Sequence, residues 1–123
     1  MNISTKIKIF LVAISTFLFA MVAVNARATY GAKISVDEPQ YLLSALSIIE
    51  DGDLDISDEL DERRYWPYHP LKLSQQTIDL TEDGQRISPH DPLLPLLLAL
   101  PMGIGGWFAA KVALAMIASL TAA

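Results

Sequence analysis

The chain has no cysteine, which excludes disulfides and thiolate metal sites and leaves the redox compartment unspecified. Positive charge is also scarce, with nine Lys and Arg against fourteen Asp and Glu. The shortage is local. All fourteen acids lie between Arg27 and Asp91, against six bases (Arg27, Lys33, Arg63, Arg64, Lys72, Arg86), for a net charge of −8 over that stretch. A segment this acidic repels nucleic acid, so no nucleic-acid partner is expected. Under the positive-inside rule it has no electrostatic reason to stay cytoplasmic. No internal repeat or low-complexity tract is present.

What the chain does have is apolar sequence, 52% of its 123 residues, concentrated at the two ends. The first run, "IKIFLVAISTFLFAMVAV" (residues 7–24), carries one charge at its edge. At about 1.5 Å per residue a helix of that length nearly crosses a ~30 Å hydrocarbon layer. Lys6 and Lys8 keep the N-terminus cytoplasmic whether the run is an anchor or a signal peptide. The small residues of "VNA" (Val24–Ala26) permit cleavage before Arg27. The length of the run and the second apolar region favour a retained anchor.

That second region, "DPLLPLLLALPMGIGGWFAAKVALAMIASLTAA", is expected to form two pieces, interrupted by Pro101, Gly103, Gly105 and Gly106. Residues 93–100 are too few to span, whereas 107–123 supply most of a second transmembrane helix. Trp107 suits an interface, and Lys111 can snorkel to the head groups. The chain stops on "TAA" without a basic flank, as a fragment of a longer membrane protein would.

The expected fold is therefore an all-α membrane protein in contact with membrane lipid. Residues 1–6 are cytoplasmic, 7–26 form the first transmembrane helix, and 27–91 form an acidic extracytoplasmic loop. Residues 92–106 are a short apolar juxtamembrane segment, and 107–123 a truncated second transmembrane helix.

Within the loop, Asp37 opens a helix signal: a capping residue, Pro39 in the first turn, and Gln40 three positions on as in a capping box. Leu42, Ala45, Leu46 and Ile49 share one helical face, and Gly52 stands where a C-terminal cap belongs. These features predict an amphipathic helix over 38–51, with its apolar face on a bilayer surface or another helix. From Asp53 to Gly84 the sequence has little regular period, and short helices or a hairpin across Asp83-Gly84 are expected.

Two groups of acids invite chemistry. In "DGDLDISDELDE", Asp51, Asp53, Asp55, Glu59 and Glu62 fall at positions 1, 3, 5, 9 and 12 of an EF-hand loop. Position 6, however, is Ile56 instead of the required glycine, and position 8 is Asp58 instead of an apolar residue. A solvated acidic turn is the competing reading. The second group is Asp37-Glu38. A carboxylate held there could remove a proton from an acceptor hydroxyl or help hold a divalent cation. Alternatively Asp37 is an N-cap and Glu38 complements the helix dipole.

The order of elements adds a further indication. A first membrane helix, then "DEPQYLLSALSIIEDGDLD", a turn with "DGQ", and "ISPHDPLLPLLLALP" leading into a second helix resembles the N-terminal portion of GT-C membrane glycosyltransferases. That superfamily includes protein O-mannosyltransferases and aminoarabinose transferases. The most specific part is Asp37-Glu38 followed by an amphipathic helix ending in Gly52-Asp53. The resemblance implies transfer of a sugar from a polyprenyl-phosphate donor to an acceptor on the extracytoplasmic side. It assigns Asp37 the role of catalytic base and makes Glu38 a neighbour that shapes the site or contributes to an ion site. An anionic base is suited to an attacking hydroxyl, and a phosphate leaving group needs a nearby cation more than a strong acid.

Many members of that superfamily have Lys-Pro-Pro before the second hydrophobic stretch, where this chain has His90, Asp91 and Pro92. His90, when protonated, and Lys111 are the candidate replacements for the phosphate-binding lysine. By composition, His90 alternatively reads as an exposed turn residue. The superfamily's further membrane helices are not in this sequence, and no activity is expected of the chain alone. Two rival readings remain: a small non-enzymatic membrane protein whose acidic loop binds a partner or cations, and an acidic domain released by cleavage at Ala26.

Overall fold

In the computed structural model, which describes residues 2–27, 31–74, 76–79 and 84–123, six elements follow one another. They are α1 (Ile3–Ala23), α2 (Glu38–Glu50), α3 (Ser57–Asp61), β1 (Ile78–Asp79), β2 (Arg86–Ile87) and α4 (Leu93–Ala122). The chain is mostly helical, and α1 and α4 are long and apolar enough to cross a membrane by length and composition. It divides into two compact units, Met1–Ala26 with Lys111–Ala123, and Arg27–Ala110.

In the first unit, α1 starts at Asn2, whose side-chain oxygen accepts from the Thr5 amide at 3.2 Å. None of its residues is buried, and Phe10, Leu18, Phe19 and Val22 all face outward. A membrane span and a signal sequence both have this form, because neither buries its apolar surface within its own chain. Ala20, Ala23 and Val24 line a cavity of about 290 Å³ with Lys111, Leu114 and Ala115. Small side chains there let the two helices approach closely.

In the second unit the core is built by α2, which contributes Leu42, Leu43, Ala45 and Leu46. Ile34, Ile56, Leu60, Tyr68 and Leu98 are buried in the same unit. The helix ends as its sequence predicts. Gly52 takes φ +79°, its amide donates to the Ser47 carbonyl at 3.0 Å, and a Cβ there would meet nothing within 4 Å. The glycine is therefore required by conformation alone. The start of α2 departs from expectation. Asp37 stands at the N-cap position with φ −92° and ψ −16°, and its side chain makes no cap hydrogen bond. No capping box forms, because Gln40 is drawn into the core, where its Nε2 donates to the Ser74 carbonyl at 3.2 Å.

The irregular stretch contains the short helix α3 and a hairpin that pairs Ile78 with Ile87 and Asp79 with Arg86, antiparallel. The predicted turn residue Asp83 lies outside the described residues. Strand β2 also bridges to Asp55, and the Ile56 amide donates to the Arg86 carbonyl at 2.9 Å.

The interruption expected across Pro101–Gly106 is confined in α4 to Gly105 (φ −144°, ψ 20°) and Gly106 (φ 61°, ψ −157°). Gly106 occupies a region open essentially to glycine only. Pro101 and Gly103 remain helical. Gly103 serves packing instead, since a Cβ there would lie 2.9 Å from Cγ1 of Ile49 at the end of α2.

Candidate functional site

The N-terminal end of α2 gathers part of the sequence-predicted site. Val36, immediately before Asp37, is 79% exposed and has φ 60°. A β-branched residue in the left-handed region is an outlier costing about 1–3 kcal/mol, and such strain concentrates at sites that constrain a neighbour. Asp37 is half-buried, and its backbone carbonyl accepts from the Gln40 and Tyr41 amides at 3.0 and 3.4 Å. Glu38 lies exposed in the first turn.

His90 is brought to the same helix. Its ring stacks on Tyr41 with centroids 4.8 Å apart and planes 26° apart, and its Nε2 lies 3.1 Å from Oε1 of Gln76. It is half-buried and held on two sides, and so is not the freely exposed turn residue that composition allowed. A cavity of about 190 Å³ beside it is lined by Ser44, Leu54, Ile87, Ser88, Pro89 and Pro95. The Ser88 hydroxyl is buried without a hydrogen-bond partner. Lys111, the other candidate cation, belongs to the first unit.

A larger groove, of about 700 Å³, was not indicated by sequence. It is lined by Asp61, Arg63, Tyr65, Trp66, Lys72 and Ser74. The Arg63 guanidinium lies 5.7 Å from the Trp66 ring centroid, and Arg63 itself has φ 56°. Asp61 is engaged by Arg86, with Nη1 to Oδ1 at 2.6 Å. The stretch "RRYWPYHPLK" brings bases and aromatics together, a combination suited to an anion and a flat ring face, but without a spacing that marks a groove.

The acidic turn after α2 is organised differently from an EF-hand. Asp53 Oδ1 accepts from the Ser47 hydroxyl and the Asp55 amide, both at 2.9 Å. Asp55 Oδ1 accepts from the Ser57 hydroxyl, the Ser57 amide and the Arg86 amide. Burial at Asp55 is outweighed by these donors, which hold its carboxyl below the usual range. Positions 3 and 5 of the EF-hand spacing are thus spent on holding the turn together.

The acids that do converge are Asp51, Asp58 and Glu59, whose ligand oxygens all lie within 4.8 Å of one another. Asp51 and Asp58 are exposed, whereas Glu59 is 1% exposed and neither of its carboxylate oxygens has a hydrogen-bond partner. Burial, followed by the adjacent Asp58, pushes Glu59 up to about 8. The nearby Tyr68 hydroxyl, also buried and unpartnered, is raised by burial and by the Glu59 charge. Asp51 is raised by desolvation and then by Asp58, Asp53 and Glu50, against Arg64. The sequence signal for Glu59 was its register: Ile56, Glu59 and Leu60 stand at i, i+3 and i+4, which places the acid on the apolar face.

No family model, curated protein or solved structure matches the chain.

Proposed function

We propose that the chain is the N-terminal part of an integral membrane glycosyltransferase of GT-C type, anchored by α1 and α4 with the second unit on the extracytoplasmic side. It moves a sugar from a polyprenyl-phosphate donor to an acceptor hydroxyl. Asp37 is the base that accepts the hydroxyl proton, and Glu38 shapes its surroundings. One observation carries the reading: Asp37 holds the N-cap position without making the side-chain hydrogen bond that would explain an aspartate there. The strained Val36 beside it and the anchoring of His90 on Tyr41 support the same end of α2 as the reacting end. His90 is the ring offered to the donor phosphate there. The groove with Arg63, Lys72 and exposed Trp66 supplies a second place where a phosphate and a sugar face can be held.

The test is Asp37→Asn in the membrane enzyme that carries this N-terminal sequence, assayed with a radiolabelled polyprenyl-phosphate sugar. Transfer is expected to fall by about 10²-fold or more, as for loss of a positioned general base, with membrane insertion unchanged. Activity retained within a few-fold of wild type would rule Asp37 out.

A further inference from the structure

The turn between α2 and α3 contains a combination that a merely solvated acidic surface lacks. Exposed carboxylates in water need no partner, but Glu59 is 1% exposed with both oxygens unpartnered. A buried carboxylate without donors is costly, and proteins resolve that cost with a proton, a cation or a base. Arg64, whose charge interacts with Glu59, is already committed, its Nη2 lying 2.8 and 2.9 Å from the two carboxylate oxygens of Glu50. The side of Glu59 that remains faces Asp51 and Asp58, which are open to solvent.

We propose that Asp51, Asp58 and Glu59 form a divalent cation site of the Ca²⁺ class, which joins the turn after α2 to α3. Three carboxylates are a hard oxygen donor set, and with no cysteine in the chain no thiolate competes for the ion. Ligand oxygens within 4.8 Å of one another fit around an ion whose bonds are about 2.3–2.6 Å. The smaller Mg²⁺, at about 2.0–2.1 Å and near-ideal octahedral, requires the turn to contract. Glu59 forms the floor, Asp51 and Asp58 the walls, and water fills the solvent side. This site is not the EF-hand read from spacing: Asp53 and Asp55 take no part, and Asp58 replaces them. The site does not depend on sugar transfer at Asp37.

The experiment is calorimetric titration of the full chain in detergent micelles, stripped with chelator, with CaCl₂ and separately MgCl₂, alongside thermal unfolding followed by tryptophan fluorescence. Expected is one Ca²⁺ per chain with Kd on the order of 10⁻⁴ M, Mg²⁺ weaker by about tenfold, and a melting temperature raised by several degrees. Glu59→Gln, which keeps the shape of the side chain, lowers Ca²⁺ affinity about tenfold or more while melting no lower than wild type in chelator. Glu62→Gln, at the last EF-hand position, leaves Ca²⁺ affinity unchanged. Absence of heat and of any melting shift at about 5 mM Ca²⁺ would overturn the site and leave a shared proton as Glu59's partner. Equal affinity in Glu59→Gln, or loss of binding in Glu62→Gln, would overturn it as well.

Discussion

Replacing Glu59 with glutamine in chelator should stabilise the protein, and the gain should grow with pH. An acid whose pKa rises on folding, here from 4.5 to about 8, binds its proton more tightly folded than unfolded. Stability therefore falls as pH rises from 4.5 toward 8, because in that interval the unfolded chain has released the proton and the folded chain has not. The full interval corresponds to about 4–5 kcal/mol at about 1.4 kcal/mol per tenfold in proton concentration. The open rim at Asp51 and Asp58, and the charge of Arg64 nearby, screen the buried carboxylate and reduce the realised effect to about 2 kcal/mol. Asp51, also raised, adds a slope of the same sign starting near 3.8. Asp55, lowered, gives the opposite slope at pH values below its ordinary 3.8, outside the Glu59 window. The assay is thermal or denaturant unfolding of the full chain in micelles between pH 5 and pH 8, wild type against Glu59→Gln. Wild type should lose stability across the range and the variant should lose much less. A flat or rising wild-type profile, or parallel profiles for the two proteins, would refute the assignment of a buried, proton-holding Glu59.

Gly52→Ala should cost about 1 kcal/mol, since the strain lies in φ +79° and no neighbour obstructs the methyl group; a drop above about 3 kcal/mol would mean that packing is also involved. Asp55→Ala leaves the Ser57 and Arg86 amides without their acceptor and should destabilise by about 1–3 kcal/mol, with faster hydrogen exchange at both amides. Arg64→Ala removes a half-exposed pair with Glu50 and should change stability by less than about 1 kcal/mol in chelator.

The helix α2 was legible because its signals are local: apolar residues at helical spacing and a glycine whose φ decides where the helix stops. Its capping was not legible, because the Gln40 side chain is claimed by Ser74, thirty-four residues away. A capping box read from four residues carries no information about that competitor. The acidic turn was legible only in part, for a related reason. Spacing marks which residues are acidic, but Asp53 and Asp55 are occupied by Ser47, Ser57 and Arg86, while Glu59 is selected by the apolar register of α3. In α4, a proline and three glycines announced an interruption, yet only backbone dihedrals locate it at Gly105-Gly106. His90 reached α2 through Tyr41, a stacking partner that no pattern in the sequence announces.

A single oxygen of Asp55 accepts from Ser57, its close neighbour, and from Arg86, thirty-one residues further on, so one atom fastens a long excursion of chain. Ordering that excursion takes a loop-closure cost that grows only slowly with its length, and part of the return is collected at this carboxylate, beside the Ile56–Arg86 and Asp61–Arg86 contacts. Acid strong enough to protonate it would weaken the whole excursion as a unit while α2 kept its own hydrogen bonds. A protease active at low pH would then cut between α3 and β2 before anywhere else in the second unit.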